Sequence, residues 1–154
     1  MSANSSSITW STKAFYELTV DELYAILRLR SDVFVVEQNC AFLDLDNCDQ
    51  IAYHTMGWLN GELVASTRLF GVDKSYQGYQ AIGRVVSSSK HRGLGIGKQL
   101  MTYSVLECER LFGKGPIKIG AQKYLMKFYS DFGFVSQNDL YVENRIEHEH
   151  MIRP

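Results

Sequence analysis

The densest chemistry in the 154 residues lies between positions 81 and 100, AIGRVVSSSKHRGLGIGKQL. Gly93, Gly95 and Gly97 alternate after a β-type run and before an apolar stretch of helical period. Glycine adopts backbone angles that other residues avoid, and it lets a bulky group approach the main chain. The first turn of a helix carries unpartnered N–H groups and the positive end of the dipole, which together attract anions. Arg92 and Lys98 add positive charge beside the turn. The pattern is either a bare tight turn or a phosphate cradle, and the flanking cations favour the cradle. Spacing removes two nucleotide loops. A Walker loop needs four residues between its first glycine and Gly-Lys-Ser/Thr; Gly93 stands too near Gly97, and Gln99 replaces the magnesium-holding hydroxyl. A dinucleotide fingerprint, G-x-G-x-x-G, fails in both frames because Lys98 or Leu100 falls on its last position.

The elements that must position this turn follow from periodicity. A first strand is expected to open at Ile8 to Trp10. Thr19 and Glu22 have capping-box spacing, so a helix follows, carrying Leu23, Ile26, Leu27 and Leu29 and running to Phe34. From Glu37 to Tyr53 the chain reads as a loop with a short helix. Asn60-Gly61 predicts a type I′ hairpin between strands Thr55 to Leu59 and Glu62 to Phe70. A strand over Ala81 to Ser87 leads into the glycine turn. The helix after it, with Leu100, Met101, Ser104, Val105, Cys108, Leu111 and Phe112 at i, i+3, i+4 spacing, stops at Gly113, Gly115 and Pro116. A buried strand at Ile117 to Ala121, a helix at Tyr124 to Phe132, and two strands pairing across Asn144 (Val135 to Val142 and Glu147 to Ile152) complete the order. Such an order predicts a mixed sheet with helices on both faces.

R-x-x-G-x-G is present as Arg92-Gly93-Leu94-Gly95-Ile96-Gly97, and it resembles the coenzyme A loop of the GCN5-related N-acetyltransferases, the GNAT superfamily. Phe128-Tyr129-Ser130-Asp131-Phe132-Gly133-Phe134 resembles the Phe-Tyr and Gly-Phe pairs that end the family's next helix. Within that superfamily, Arg28 to Cys40 (RLRSDVFVVEQNC) and Ile119-Gly120-Ala121-Gln122 resemble the ElaA-like branch. The likeness runs from about Trp10 to the end. It implies a GNAT fold of the α/β class in one domain over 1–154, with a mixed, mostly antiparallel central sheet and helices on both faces. It also implies acetyl-CoA as cosubstrate, no metal, and direct acetyl transfer to an amine of a small molecule or peptide. By this resemblance the N–H groups of Leu94, Gly95, Ile96, Gly97 and Lys98 hold the pyrophosphate, with Gly93 shaping the turn and Arg92 beside it. The main chain of Val85, Val86 and Ser87 pairs with the pantetheine arm, which requires that strand to splay from the one at Ile119. Tyr129 points at the thioester sulfur and protonates the departing thiolate; its plain alternative is a core tyrosine. Arg30 to Glu37 also resembles the acyl-homoserine-lactone synthases, but the loop favours CoA. A CoA-binding module without catalysis is a further alternative, against which the loop and Tyr129 together argue.

An amine attacks only when neutral, so a base is expected. Glu37 is the first candidate, at the end of an apolar run, and His54 is the second. Asp44, Asp46 and Asp49 either line the acceptor cleft, attracting a cation, or form a solvated loop; Cys48 breaks a calcium-loop pattern. His148 and His150 share one strand face without a visible third metal ligand, so a surface pair is expected. His91 is expected in solvent and Cys108 in the core, and Cys40 has no adjacent base for an acyl-carrying role. A composition of 45% apolar and 21% charged residues is ordinary for a globular chain, and a net charge of -1 offers no field for nucleic acid or membrane. No apolar run has membrane-span length. MSANSSS, without an apolar secretory core, reads as a disordered tail over 1–7. Three cysteines without a CxxC pair point to a reducing, cytoplasmic setting. Open sheet edges leave room for a homodimer.

Overall fold

The capping box forms as its spacing predicts. The Glu22 N–H donates to Thr19 Oγ1 at 3.1 Å, and the Thr19 N–H donates to Glu22 Oε1 at 2.8 Å. These bonds open α1, Val20–Arg30. The expected continuation to Phe34 is helical but not α-helical. From Ser31 to Glu37 the turns widen to the π type, and the Gln38 N–H reaches back to the Val33 carbonyl at 3.1 Å. This computed structural model describes residues 7–154. Apart from the exposed Ser7, the expected tail lies outside the described residues.

The strands are β1 Thr9–Ala14, β2 Tyr53–Leu59, β3 Glu62–Phe70, β4 Gln80–Ser87, β5 Ile117–Gln122, β6 Val135–Ser136, β7 Tyr141–Glu143 and β8 Ile146–Arg153. They form one sheet in the order β1-β2-β3-β4-β5-β8-β6, with β7 also paired to β8. All pairings are antiparallel except that of β4 with β5. The β2–β3 hairpin turns at Asn60 (φ 51°) and Gly61 (φ 80°), the two positive angles of a type I′ turn. The expected long strand after Val135 is broken into β6 and β7. Between them Asn138 has φ 55°, and the Asp139 carboxylate takes the His150 N–H at 2.9 Å, replacing a ladder bond.

The second long helix, α2, is Ile96–Phe112, and α3 is Met126–Ser130. α3 is shorter than its expected range because Lys123–Leu125 forms a tighter 3-10 turn before it. α1 lays Ile26, Leu29 and Val33 on Met56, Leu63 and Val86 at one face of the sheet. At the other face α2 packs Met101, Val105 and Cys108 against Leu69, Ile82 and Ile119, joined by Tyr129 of α3. Helices thus cover both faces of a mixed, mostly antiparallel sheet, as the resemblance implies.

One irregularity positions the site. Ser66 lies opposite Val86, but Arg68 lies opposite Gly83, so Arg84 and Val85 together face Thr67 alone. This is a β-bulge in β4, with Arg84 at φ 47°. The bulge shifts the side-chain phase: Ile82 and Val85, three positions apart, both pack toward α2, whereas Val86 turns to α1.

Candidate active site

β4 and β5 pair through only two registers, Gln80 with Ile117 and Ala81 with Lys118. Beyond them the strands splay, and the edge of β4 toward β5 carries no ladder through Val85, Val86 and Ser87. The gap is a cleft of about 760 Å³, walled by those residues, by the end of the α1 extension, and by Tyr129. A smaller recess of about 200 Å³ adjoins the glycine turn, bounded by Ser87, Arg92, Gly93, Gly95, Gly97 and Lys98. Gly93 (φ 86°) and Gly95 (φ 72°) adopt left-handed angles, which glycine accepts without a Cβ penalty. The Ile96 side chain is buried against Val64 and Leu100, anchoring the start of α2. The helical ladder begins with the Gln99 N–H on the Gly95 carbonyl at 3.2 Å. The N–H groups of Ile96, Gly97 and Lys98 precede it, without intrahelical partners. Leu94 is exposed, as is Lys98.

Tyr129 sits on α3 with its ring against Phe128 and Phe134, and it is 6% exposed. Burial pushes its phenol well above the ordinary value, so it stays protonated at neutral pH. Glu37 also reaches the cleft, but Arg92 grips both of its oxygens, with Nη2 to Oε1 at 2.8 Å and Nη1 to Oε2. Arg92 and Glu37 therefore tie the glycine turn to the α1 extension, and each already has a partner.

His54 is completely buried, outside the cleft, and its Nε2 lies 2.9 Å from the Asp49 carbonyl oxygen. Burial holds the imidazole below its usual pKa, so it is a neutral core histidine rather than a base at the cleft. The acidic loop also differs from expectation. Arg30 bonds Asp44 at 2.9 Å and Asp49 at 2.7 Å; Arg68 bonds Asp46 at 2.7 Å and Asp49 at 3.1 Å; Arg84 bonds Asp44 at 2.7 Å. Three arginines thus pair with three aspartates, so the carboxylates are already partnered within the protein. Of the three, only Asp46 lines the cleft. Burial alone would raise the Asp49 pKa, but Arg30 and Arg68 overcome it and hold the carboxyl below the usual range. Cys108 lies in the core as expected, where burial pushes its thiol up to about 12. Cys40 donates to the Asn144 carbonyl at 3.0 Å, and His91 Nδ1 lies 3.2 Å from Ser88 Oγ.

The largest difference is at β8. His148 is no surface residue: it is 8% exposed and lines the cleft. Its ring stacks on Tyr141 at 5.4 Å, and His150 stacks on the same tyrosine at 4.6 Å while bonding Asp139 at 2.7 Å. Among the described residues no group of three or more His, Cys, Asp or Glu side chains is arranged to hold a metal ion. Sequence reasoning passed over Tyr76, Tyr141 and Gln122 as well. The alternation of His148 and His150 was the available signal, but the face they share is covered by β7 rather than by solvent.

A family profile described as an acetyltransferase (GNAT) domain matches residues 51–153. The chain belongs to the GNAT family. Protein ElaA of Escherichia coli (strain K12) is 40% identical over 148 residues, covering 95% of this chain and 96% of that one. The crystal structure of E. coli ElaA superposes with a TM-score of 0.88, covering 96% of this chain and 99% of that one. An acyl-CoA N-acyltransferase from Pseudomonas aeruginosa superposes with a TM-score of 0.91 at 41% identity, covering 96% of this chain and 100% of that one. The acyl-homoserine lactone synthase BjaI, a CoA-dependent enzyme, shares the fold at 16% identity and a TM-score of 0.74, covering 97% of this chain and 84% of that one. As a GNAT protein of ElaA type, the chain is an acyltransferase by family, and the family's donors are acyl-CoA thioesters. No helix among the described residues is long and apolar enough to cross a membrane.

Proposed function

We propose that the protein transfers the acetyl group of acetyl-CoA to a primary amine of a small molecule or peptide, directly and within a ternary complex. The observation that carries this is the continuity of the cleft: it runs from the glycine turn, along the unpaired edge of β4, to Tyr129. In this reading the N–H groups of Leu94 to Lys98 hold the diphosphate, and Lys98, exposed beside the recess, adds charge. Val85 to Ser87 accept the pantetheine arm as an added strand. The amine attacks the thioester carbonyl, and a main-chain N–H near Val86 stabilises the oxyanion. Collapse expels the thiolate, which takes its proton from Tyr129. The buried phenol keeps its proton at neutral pH, so the donor is in its acid form when the sulfur leaves. Holding amine and thioester together supplies much of the rate. Glu37 serves the site by fastening Arg92 and the loop rather than as the base.

The test is a screen of primary amines that follows free thiol release from acetyl-CoA, run on the protein and on Tyr129→Phe. The variant is expected to bind CoA normally and to lose about 10²- to 10⁴-fold in turnover. The deficit grows at high pH, where the solvent no longer supplies protons. Equal turnover in the two proteins removes Tyr129 from the mechanism, and a protein without affinity for CoA ends the proposal.

A further inference from the structure

At the splay, β5 and β8 place Gln122 and His148 opposite each other across the ladder. Both line the cleft that contains Tyr129. Gln122 Oε1 is buried without a hydrogen-bond partner. A buried acceptor left unpaired is destabilising until a donor arrives. His148 Nδ1 lies 2.7 Å from the Ile146 carbonyl oxygen. A carbonyl only accepts, so in the neutral ring Nδ1 carries the hydrogen and Nε2 presents a lone pair. The stack on Tyr141 at 5.4 Å and 22° fixes the plane of that ring. Both residues thus line the cleft a thioester would enter, Gln122 with a buried oxygen that has no protein donor and His148 with its Nε2 lone pair unused by the Ile146 bond. A nitrogen bearing several hydrogens complements them.

We propose that Gln122 and His148 form the acceptor-amine subsite, Gln122 Oε1 accepting one N–H of the incoming ammonium and His148 Nε2 removing another proton as general base. This rests on the acetyl-transfer reading above. R–NH3+ gives one proton to His148 Nε2 and becomes a free amine. Its lone pair forms the C–N bond as the carbonyl π pair moves to oxygen. That pair then returns, the C–S bond breaks, and the sulfur takes the Tyr129 proton. The nitrogen sheds its second proton, which restores the phenol, and His148 passes the first to solvent.

Other titratable groups share this space. β7 contributes Tyr141 and Glu143, the β3–β4 loop Tyr76, and the α1 extension Glu37, which is held by Arg92. The turn before α3 contributes Tyr124, and on β8 itself His150 is paired with Asp139. The His148 variant separates His148 from His150 and from these groups.

Two arms test the proposal with the full chain. Turnover of acetyl-CoA with a primary-amine panel is followed from pH 6 to 10 for the protein and His148→Gln. The variant is expected to lose about 10²- to 10⁴-fold in kcat and to change the shape of the pH profile, while melting and binding CoA as the parent does. In the second arm, calorimetry measures the conjugate CoA–S–CH2–CO–NH–CH3, whose N–H stands in for the acceptor nitrogen. Gln122→Leu is expected to bind CoA normally, to melt no lower than the parent, and to lose about tenfold for the conjugate. A His148→Gln profile matching the parent, or undiminished conjugate binding by Gln122→Leu, overturns the subsite. If the parent binds CoA yet acetylates no amine, the acetyl-transfer reading fails. The conjugate arm then decides the subsite alone, with tenfold loss upholding it and equal affinity ending it.

Discussion

Gly95 and Gly97 stand in the same turn, yet alanine should act oppositely at the two. Gly95 is the N-cap of α2 at φ 72° and ψ 19°, and a Cβ built there meets nothing within 4 Å. There is no clash, so the cost of Gly95→Ala is purely conformational, about 1–2 kcal/mol for an L-residue in the left-handed region. For a domain of this size that corresponds to roughly 2–8 °C in Tm. Gly97 is already helical, and its added Cβ meets Phe128 Cζ at 3.5 Å, an ordinary contact. Gly97→Ala should therefore gain about 0.5–1 kcal/mol from removing a helical glycine. The functional consequence is separate. If Gly95→Ala escapes its strain by rotating φ to negative values, the N–H groups at 96–98 swing away from the recess. Losing even one anion-directed hydrogen bond costs about tenfold in CoA affinity. Thermal melts and calorimetric titration with CoA read both effects. If Gly95→Ala melts and binds CoA like the parent, or Gly97→Ala is equally destabilised, the account of the turn is wrong.

Two further outcomes concern the ionic cluster. Arg30→Met removes a cation that is 1% exposed and leaves Asp44 and Asp49 with one arginine each. A loss of about 3 kcal/mol is expected, read as a drop in Tm of roughly 6–12 °C, with the acceptor panel unchanged in rank order. Acid should also unfold the protein early. Burial would raise the Asp46 and Asp49 pKa values, but Arg68 at Asp46, and Arg30 with Arg68 at Asp49, depress both. A depressed folded-state pKa contributes stability above the unfolded value near 3.9 that is lost as pH falls toward the folded one. Urea midpoints should thus fall steeply below about pH 4, and Asp46→Asn should flatten that slope.

The elements were legible wherever local chemistry decides conformation. Thr19 with Glu22, Asn60-Gly61, and the glycine turn before α2 each carry their geometry in two or three residues, and each formed as expected. The failures share a cause: they depend on partners distant in sequence. Nothing local to Val135–Val142 says that Asp139 would capture the His150 N–H and split the strand. Nothing local to Asp44, Asp46 and Asp49 says that arginines from α1, β3 and β4 would neutralise them. Glu37 lines the cleft, but its partner Arg92 lies 55 residues away. His148 was missed because alternation tells which residues share a face, not what covers that face. Conversely, the splay of β4 from β5 was expected only through the resemblance, since neither strand's composition encodes it.

The bulge that goes with the splay shows what the buried charges contribute. Arg84 at φ 47° occupies a region that costs a non-glycine residue about 1–2 kcal/mol, and glycine would sit there freely. The guanidinium returns that cost. Its Nε donates to Asp44 Oδ1 at 2.7 Å, its Nη2 donates to the Asp44 carbonyl at 2.8 Å, and Phe42 lies under it at 5.9 Å. Asp44 in turn grips Arg30 of α1, whose extension brings Val33, Phe34 and Glu37 to the opposite wall of the cleft. One carboxylate thus couples the strand that opens the gap to the helix that faces it. Apolar residues of equal volume would give comparable or greater stability than this cluster. They would have no directional bond with which to hold a left-handed arginine, and the cleft would lose the register between its two walls. The aspartates therefore serve the site through geometry, by fixing the strand that opens the gap relative to the helix that faces it.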